Sequence, residues 1–506
     1  MEIHWTTQLS YPILACLQLL PLVGMAWVWF FKKSSLLLPG ASLIALLEFA
    51  LAIQLYRVFD QSKSAFQFAE QIQLLGPLYY HVAVDGMAVL FILLTALLSS
   101  IIVVYGYIRL LLPFDRLLMI CFATTAVVMS MFVSIDLLWF FLQSIIHTGL
   151  VGYLLWFWST SPERDLAIRR YLQFMGSGLL LLFIGILFLG WQHSTSHQGQ
   201  WRFDLFSLAE LDIRQPVQNW VFFLLFYGLA VRVPLFPFHG WLPMAVQHGS
   251  VAIAPIFLLG LKTGIYGMLR FVFPIFTEAV AIWHKYVVAF AVIGIFYAAL
   301  LAMQQSKLRS MFAYAVVSHT SILVLGLFSL TSIAFQGSII LAINFGLAIS
   351  VLLLMTGMVY RRTHTTTLAK LGNLFDRIPI IAIGFFVGGL AIVGMPGTPG
   401  FDAVHLVLEA SIERYGAVVT IAAAVGNVLA AGFLLLAFQR AFLAPQLDTA
   451  RPLDVEPTQW IERIISGLLI LIVLGIGFYS EPWMELLEQS ASTLSRPYHK
   501  LLPLVH

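Results

Sequence analysis

Two cations sit in this chain with little but apolar residues around them. Lys262 lies in FLLGLKTGIYG after about eleven apolar or small residues, and Arg232 lies near the end of the apolar run 217–235. A cation placed inside a hydrophobic helix costs at least ~2.5–3.5 kcal/mol on insertion scales, so an intramembrane charge marks a functional site by default. Between the two, Pro234, Pro237 and Pro243 interrupt the chain, and the broken segment carries His239 and His248. Cations flanking a segment that cannot be continuous helix suggest an ion path. The two differ in chemistry. Desolvation disfavours the charged form of a lysine, so Lys262 can give up and regain a proton. Its stem is too central in the span to snorkel to either interface. Arginine keeps its proton, so Arg232 can hold a charge or an anion, or pair with a carboxylate or carbonyls, but cannot relay.

Further polar groups extend this pattern. His319, in FAYAVVSHTSILVL, lies more than two turns inside a helix that begins after Lys307 and Arg309. Its imidazole both donates and accepts, which suits a water-linked relay. Asn344, in LAINFGLAIS, can hydrogen-bond but does not titrate near neutral pH. If helix resumes at Phe401, then Asp402, His405 and Glu409 share one face. That stripe is either a proton exit or an ordinary polar helix end. His147 is the one strongly titratable group in its span, with Asp136 at the edge. Glu163, Arg164, Asp165, Arg169 and Arg170 read as an interfacial charge cluster. No P-loop, dinucleotide fingerprint, HExxH, CxxC or haem signature is present, so no cofactor, no metal and no soluble substrate is implied.

The elements that position these groups are membrane helices. Of the 506 residues, 60% are hydrophobic and 10% charged, a balance that leaves too little polar surface to cover a soluble core. The net charge of +3 points to no nucleic acid, and Cys16 and Cys121 both sit in apolar runs, which excludes a disulfide framework. Apolar runs of the length needed to cross ~30 Å of hydrocarbon recur throughout. They place spans near 11–31, 36–55, 86–108, 116–135, 136–158, 170–191, 217–235, 251–273, 283–303, 309–330, 333–360, 378–411, 417–443 and 459–479. The expected fold is therefore an all-α polytopic membrane protein of about 14 transmembrane helices. The first run follows MEIHWTTQLS, which lacks a basic start, and reads as a retained span rather than a signal peptide. Within 378–411 the sequence MPGTPG, Met395 to Gly400, must interrupt the helix. Such backbone is tolerated at membrane depth only where protein or a watery cavity covers it. Paired interruptions, at Pro234/Pro237 and Pro396/Pro399, point to two inverted repeats around a midplane site. The chain then reads as one integral membrane domain, 1–506. It comprises N-terminal helices (1–115), a first repeat (116–275), a second repeat (280–445) and a C-terminal helix and tail (446–506). Loop Lys and Arg divide sixteen to nine, with the two intramembrane cations completing the 27. The positive-inside rule then puts both termini outside the cytoplasm.

At these residues the chain resembles the antiporter-like membrane subunits of respiratory complex I and of multisubunit cation/proton antiporters, most closely the chain-M or plastid chain-D type. VRVPLFPFHGWLP is similar to that family's K-V-P-x-F-P-x-H-x-W-L-P. LGLKTGIYGMLRF is similar to its L-L-K-x-G-x-Y-G-L-x-R-F. SKLRSMFAYAVVSHTSILVLG and YRRTHTTTLAKLGNL match its two further signatures. The resemblance implies two inverted five-helix repeats and proton movement along a central axis. That axis runs from a glutamate–lysine pair through a lysine and histidines to an exit lysine or glutamate. It also implies other membrane subunits as partners, a lipid bilayer that is a bacterial inner membrane, and no catalysis by the chain alone, only as part of an NADH:quinone oxidoreductase-like translocase. Carried over residue by residue, Lys262 and His319 match the central lysine and one histidine. Asn344 stands for the other histidine and Arg232 for the paired lysine. The paired glutamate falls at Ile145 and the exit glutamate at Val404, with Asp402, His405 and Glu409 close by. Relatives in this family also suggest a proton-driven inorganic-carbon uptake complex with a soluble, zinc-containing cytoplasmic partner. The lost acids alternatively fit a non-pumping scaffold subunit.

Overall fold

A computed structural model describes residues 9–63, 65–109, 112–159, 161–249, 260, 262–446 and 455–502. The first part of the expected eighth span, 251–259 and 261, lies outside these described residues. The rest is a bundle of helices. In chain order α1 is Ile13–Phe31, α2 Leu37–Val58, α3 Gly86–Ile108, α4 Phe114–Val133, α5 Leu137–Trp158 and α6 Arg164–Ser196. A short α7, Leu205–Ala209, precedes α8, Gln215–Arg232, and α9, Trp241–His248. Next come α10 Thr263–Ile275, α11 Thr277–Met303, α12 Leu308–Leu327 and α13 Ser332–Thr363. The C-terminal set is α14 Pro379–Val393, α15 Pro399–Tyr415, α16 Ala417–Leu443, α17 Trp460–Phe478 and α18 Glu481–Leu501. Among the described residues, eleven helices are long and apolar enough to cross a membrane; α10 and α14 are shorter apolar helices.

Local chemistry sets the element ends. Asp136, expected as the boundary inside 116–158, caps α5 by accepting from the Trp139 amide at 2.8 Å. Asp85 caps α3 and Thr331 caps α13 in the same way. At MPGTPG, α14 stops with Gly394 in the left-handed region (φ 76°), and α15 restarts at Pro399 after Thr398. A Cβ on Gly394 would also come within 2.8 Å of the Gly400 carbonyl, so glycine is needed there twice over. The first interruption falls between Arg232 and Trp241, as Pro234 and Pro237 dictate.

Two elements were not expected from hydropathy. Residues 67–84 form an antiparallel hairpin, β1 (Gln67–Leu75) with β2 (Leu78–Val84). It is tied to the bundle where the Ile135 amide donates to the His81 carbonyl. The second is α18, a strongly amphipathic helix that lays Leu486, Leu487, Ala491, Leu494 and Tyr498 against α13, α3 and α11. Neither has the long apolar run on which membrane-span reading depends.

The loops gather at two ends. One holds the hairpin, Asp136, Phe203, Arg270, Ser329, Arg414 and α18, linked by hydrogen bonds such as Arg414 to the Ser329 and Leu502 carbonyls. The other holds Glu163 with His248, Arg309 with the Gly249 carbonyl, and Arg361 and Arg362 with Glu462. Buried most completely are α12 and α13, whereas α1, α2, α6, α16 and α17 bury a third of their apolar stretch or less. A charged tie joins centre to rim. Glu462 is fully buried, 2.5 Å from Arg362 Nη2 and 3.4 Å from Arg361 Nη1, and its carboxylate also accepts from the Gln459 amide. Removing one partner of such a pair leaves the other charge buried and unpaired. Glu462→Ala is therefore expected to destabilise the purified protein by about 3–5 kcal/mol. Thermal unfolding in detergent measures this, and an unchanged midpoint would show that α17 is held to α13 by other means.

Candidate functional site

The chemically distinctive side chains converge at the middle of the bundle. His147 is the eleventh of 22 residues in α5, His319 the twelfth of 20 in α12, and Arg232 ends α8. Lys262 immediately precedes α10.

Arg232 is held in a fork. Its Nη1 donates to His147 Nδ1 at 3.1 Å, and its Nη2 donates to the Ser144 carbonyl at 3.0 Å and to Thr148 Oγ1 at 3.1 Å. A guanidinium only donates, so His147 Nδ1 accepts and the ring proton lies on Nε2. That nitrogen has no partner among the described residues. It borders Gly260, where an added Cβ would come within 1.8 Å of it. The ring shares a small cavity with Arg232, Tyr171 and Trp241. No carboxylate among the described residues lies within ion-pair distance of Arg232. The position facing it on α5 is also not the expected one. Ile145 is 43% exposed on the outer side, and Ser144, His147 and Thr148 are turned inward, because a one-residue step rotates a helix by ~100°.

Lys262 is buried, and among the described residues it has neither an ion pair nor a hydrogen bond from its amine. Nζ lies 5.7 Å from the Phe345 ring centroid, a cation–π contact. It opens onto a cavity of about 20 Å³ lined also by Ala315, His319, Thr320 and Ile392, enough for one water. His319 faces that same space. It is 2% exposed, packs 4.6 Å from the Phe345 ring, and neither ring nitrogen has a partner among the described residues. Buried polar groups are normally bonded, and the cavity beside these two open nitrogens has room for a water that would bond them. On α13, Gly346 lies beside the lysine stem; a Cβ there would make ordinary contact with Lys262 Cε at 3.7 Å but would come within 2.6 Å of Leu94 Cδ2 on α3.

Asn344 serves the second helix break. Its Nδ2 donates at 2.8 Å to the Ala391 carbonyl, one of those left open where α14 stops, and its Oδ1 is buried without a partner among the described residues.

The remaining predicted residues lie elsewhere. His239 is buried between Phe236 and Tyr297. His248 lies at one end of the bundle, with Nδ1 2.9 Å from Ser161 Oγ and Nε2 3.2 Å from Glu163. Asp402, His405 and Glu409 do share a stripe of α15, but it is the outer one. His405 and Glu409 are exposed, and Asp402 accepts from Ser480 at 2.5 Å. Val404, not this stripe, faces the helix break.

Polar groups that span reading passed over also sit in the interior. Arg270 makes a two-point pair with Asp85 (2.8 and 2.9 Å) and bonds Tyr266 Oη, inside a π-helical turn of α10. Glu48, at the centre of α2, is 2% exposed with neither carboxyl oxygen hydrogen-bonded among the described residues. The rule that singles out Lys262, a charge-bearing residue inside an apolar run, applies equally to Glu48.

Interrupted helices meeting at mid-membrane around an unpaired lysine and an open histidine define a membrane protein of the ion-translocating class. Residues 134–430 match the family described as NADH:quinone oxidoreductase/Mrp antiporter, transmembrane. NADH-quinone oxidoreductase subunit M of Rickettsia prowazekii is 31% identical, with 96% of this chain and 99% of that protein covered. Subunit M of Pseudomonas aeruginosa is 30% identical over 94% and 96% of the two chains. The fold matches a chain of respiratory complex I from Thermus thermophilus with bound NADH at a TM-score of 0.86, with 24% identity, covering 96% of this chain and 99% of that one. It matches a chain of the Mrp complex from Dietzia sp. at 0.84, with 18% identity, covering 97% and 99%. The chain belongs to the NADH:quinone oxidoreductase/Mrp antiporter transmembrane family.

The Arg232 fork generates a test. A lysine in its place offers one ammonium where three acceptors need a planar fork. Arg232→Lys is expected to cost about 1–3 kcal/mol of stability from the polar groups left unpaired. Denaturant unfolding that matched the parent would remove the fork from the account.

Proposed function

We propose that this chain moves protons across the membrane as the antiporter-like subunit of a complex I-like assembly, with Lys262 and His319 carrying the proton. The observation behind this reading is the shared cavity. A buried structural lysine is ordinarily paired, and a buried structural histidine ordinarily bonded on at least one nitrogen. Here both face the same water-sized space without such partners among the described residues. A proton leaves the Lys262 ammonium to the cavity water, and that water protonates His319. Imidazole takes the proton on one nitrogen and releases one from the other, and the ring turns or its tautomer resets before the next transfer. The Asn344 amide, beside the α14 break, accepts hydrogen bonds from water beyond His319 but holds no proton itself. Arg232 contributes a fixed positive charge that cannot switch, since it keeps its proton.

The two helix interruptions favour two repeats over 116–275 and 280–445. The end bearing Arg309, Arg361 and Arg362 is assigned to the cytoplasm, which puts both termini outside it. The relatives are named as subunits of a bacterial NADH-quinone oxidoreductase, which supports a bacterial inner membrane and neighbouring subunits as partners.

Lys262→Ala and His319→Ala are each expected to abolish proton flux when the complex, purified through this chain, is reconstituted in liposomes and given a potential. Parental flux in both variants would refute the relay. If deletion of the chain nevertheless dissolved the complex, the scaffold role would stand instead.

A further inference from the structure

The Lys262 amine also opens on the side away from His319. There a second cavity, of about 10 Å³, is lined by Phe91, Leu94, Thr95, Leu98, Phe132 and Gly346. Thr95 is its only polar wall besides the lysine, among the described residues, and it begins a run of hydroxyls. Ser99 Oγ lies 2.9 Å from Thr125 Oγ1, and Ser100 Oγ donates to the Ala45 carbonyl of α2 at 2.8 Å. Thr95 and Ser99 are one turn apart on α3, and Ser100 turns from that face toward α2. Glu48 follows that carbonyl's residue by three positions on α2.

Glu48 is the twelfth of 22 residues in α2 and therefore lies at the middle of that helix. Helical side chains lean toward the N-terminus, so its carboxyl covers the turn containing Ala45, where the Ser100 hydroxyl is bound. The neighbours Leu43, Leu46 and Leu47 point outward and are about half exposed, whereas Glu48 is turned in and 2% exposed. Neither of its oxygens has a hydrogen bond among the described residues. A buried carboxyl without partners is tolerated as the neutral acid and not as the anion. An apolar residue there would pack at lower cost, so packing alone gives no reason for an acid.

We infer that Glu48 is the acid partner of Lys262, exchanging a proton with its amine across the hydroxyls of α3. In one state Glu48 is a carboxylic acid and Lys262 a neutral amine. In the other, the carboxyl O–H bond has broken, an N–H bond has formed, and a carboxylate faces an ammonium. Ser100, Ser99 and Thr95, with water in the second cavity, each accept one proton and pass one on, so no further reactant is needed. This inference rests on the relay reading of Lys262. It supplies the switchable charge that Arg232, fixed by His147, Ser144 and Thr148, cannot.

The test uses the reconstituted complex with Glu48→Gln, which keeps the shape and removes the titrating group, alongside Glu48→Asp, Thr95→Val and Lys262→Ala. Glu48→Gln is expected to lower proton flux at least tenfold, Thr95→Val severalfold, and Glu48→Asp to retain a measurable part. Infrared difference spectra of the parent during turnover should show the carbonyl stretch of a protonated carboxyl, missing in Glu48→Gln and altered in Lys262→Ala. Parental flux in Glu48→Gln while Lys262→Ala is inactive would overturn the role of Glu48 and leave the relay intact. Parental flux in Lys262→Ala would overturn the relay and this inference with it. If Glu48→Gln does not assemble, the parent's carboxyl band decides: a band unaffected by Lys262→Ala refutes the exchange.

Discussion

An ammonium at mid-membrane without a carboxylate beside it is the constraint around which this bundle is arranged. The lysine side chain leaves the chain just before α10 begins. The amine has an aromatic face at 5.7 Å in Phe345 and space on two sides for water. The most buried helices, α12 and α13, are those that wall this space. The exposed helices around them insulate the site from lipid, without which a polar cavity could not persist in hydrocarbon.

The second cation answers the same problem in the opposite way. Arg232 is satisfied by a neutral imidazole, a carbonyl and a hydroxyl, all from one helix face. Its charge is spread over hydrogen bonds and has no group to hand a proton to. One cation is thus spread over fixed hydrogen bonds, whereas the other has none from its amine among the described residues. The second helix break leaves carbonyls at the end of α14, one of which Asn344 occupies.

Much of the fold was legible in the chain because lipid enforces a simple rule. Every crossing needs a long apolar run, so span positions near α1 to α6 and α11 to α17 follow from hydropathy, and MPGTPG announces its own interruption. Elements exempt from that rule escaped it. The hairpin at 67–84 and α18 lie at the bundle's end, where alternation and amphipathicity are weaker signals than a twenty-residue run. Site residues divide similarly. Lys262 and His319 declare themselves by chemistry in apolar surroundings. Counting residues from a boundary, by contrast, put the α5 position facing Arg232 at Ile145, one residue from the inward-facing Ser144. It also grouped Asp402, His405 and Glu409 correctly on one stripe without revealing that the stripe faces outward. Periodicity tells which residues share a face, and neighbours decide which way that face turns.

The sequence by itself determined that this is a membrane bundle with two interrupted helices and ionisable groups at mid-depth, since apolar length, proline and charge are local properties that water and lipid read directly. Only the tertiary structure decided the partners. It gave Arg232 a histidine in place of an acid, opened Lys262 toward His319 on one side and toward α3 on the other, and turned Glu48 inward. Those outcomes depend on which helix faces pack together, and packing between segments distant in the chain is not written in any one of them.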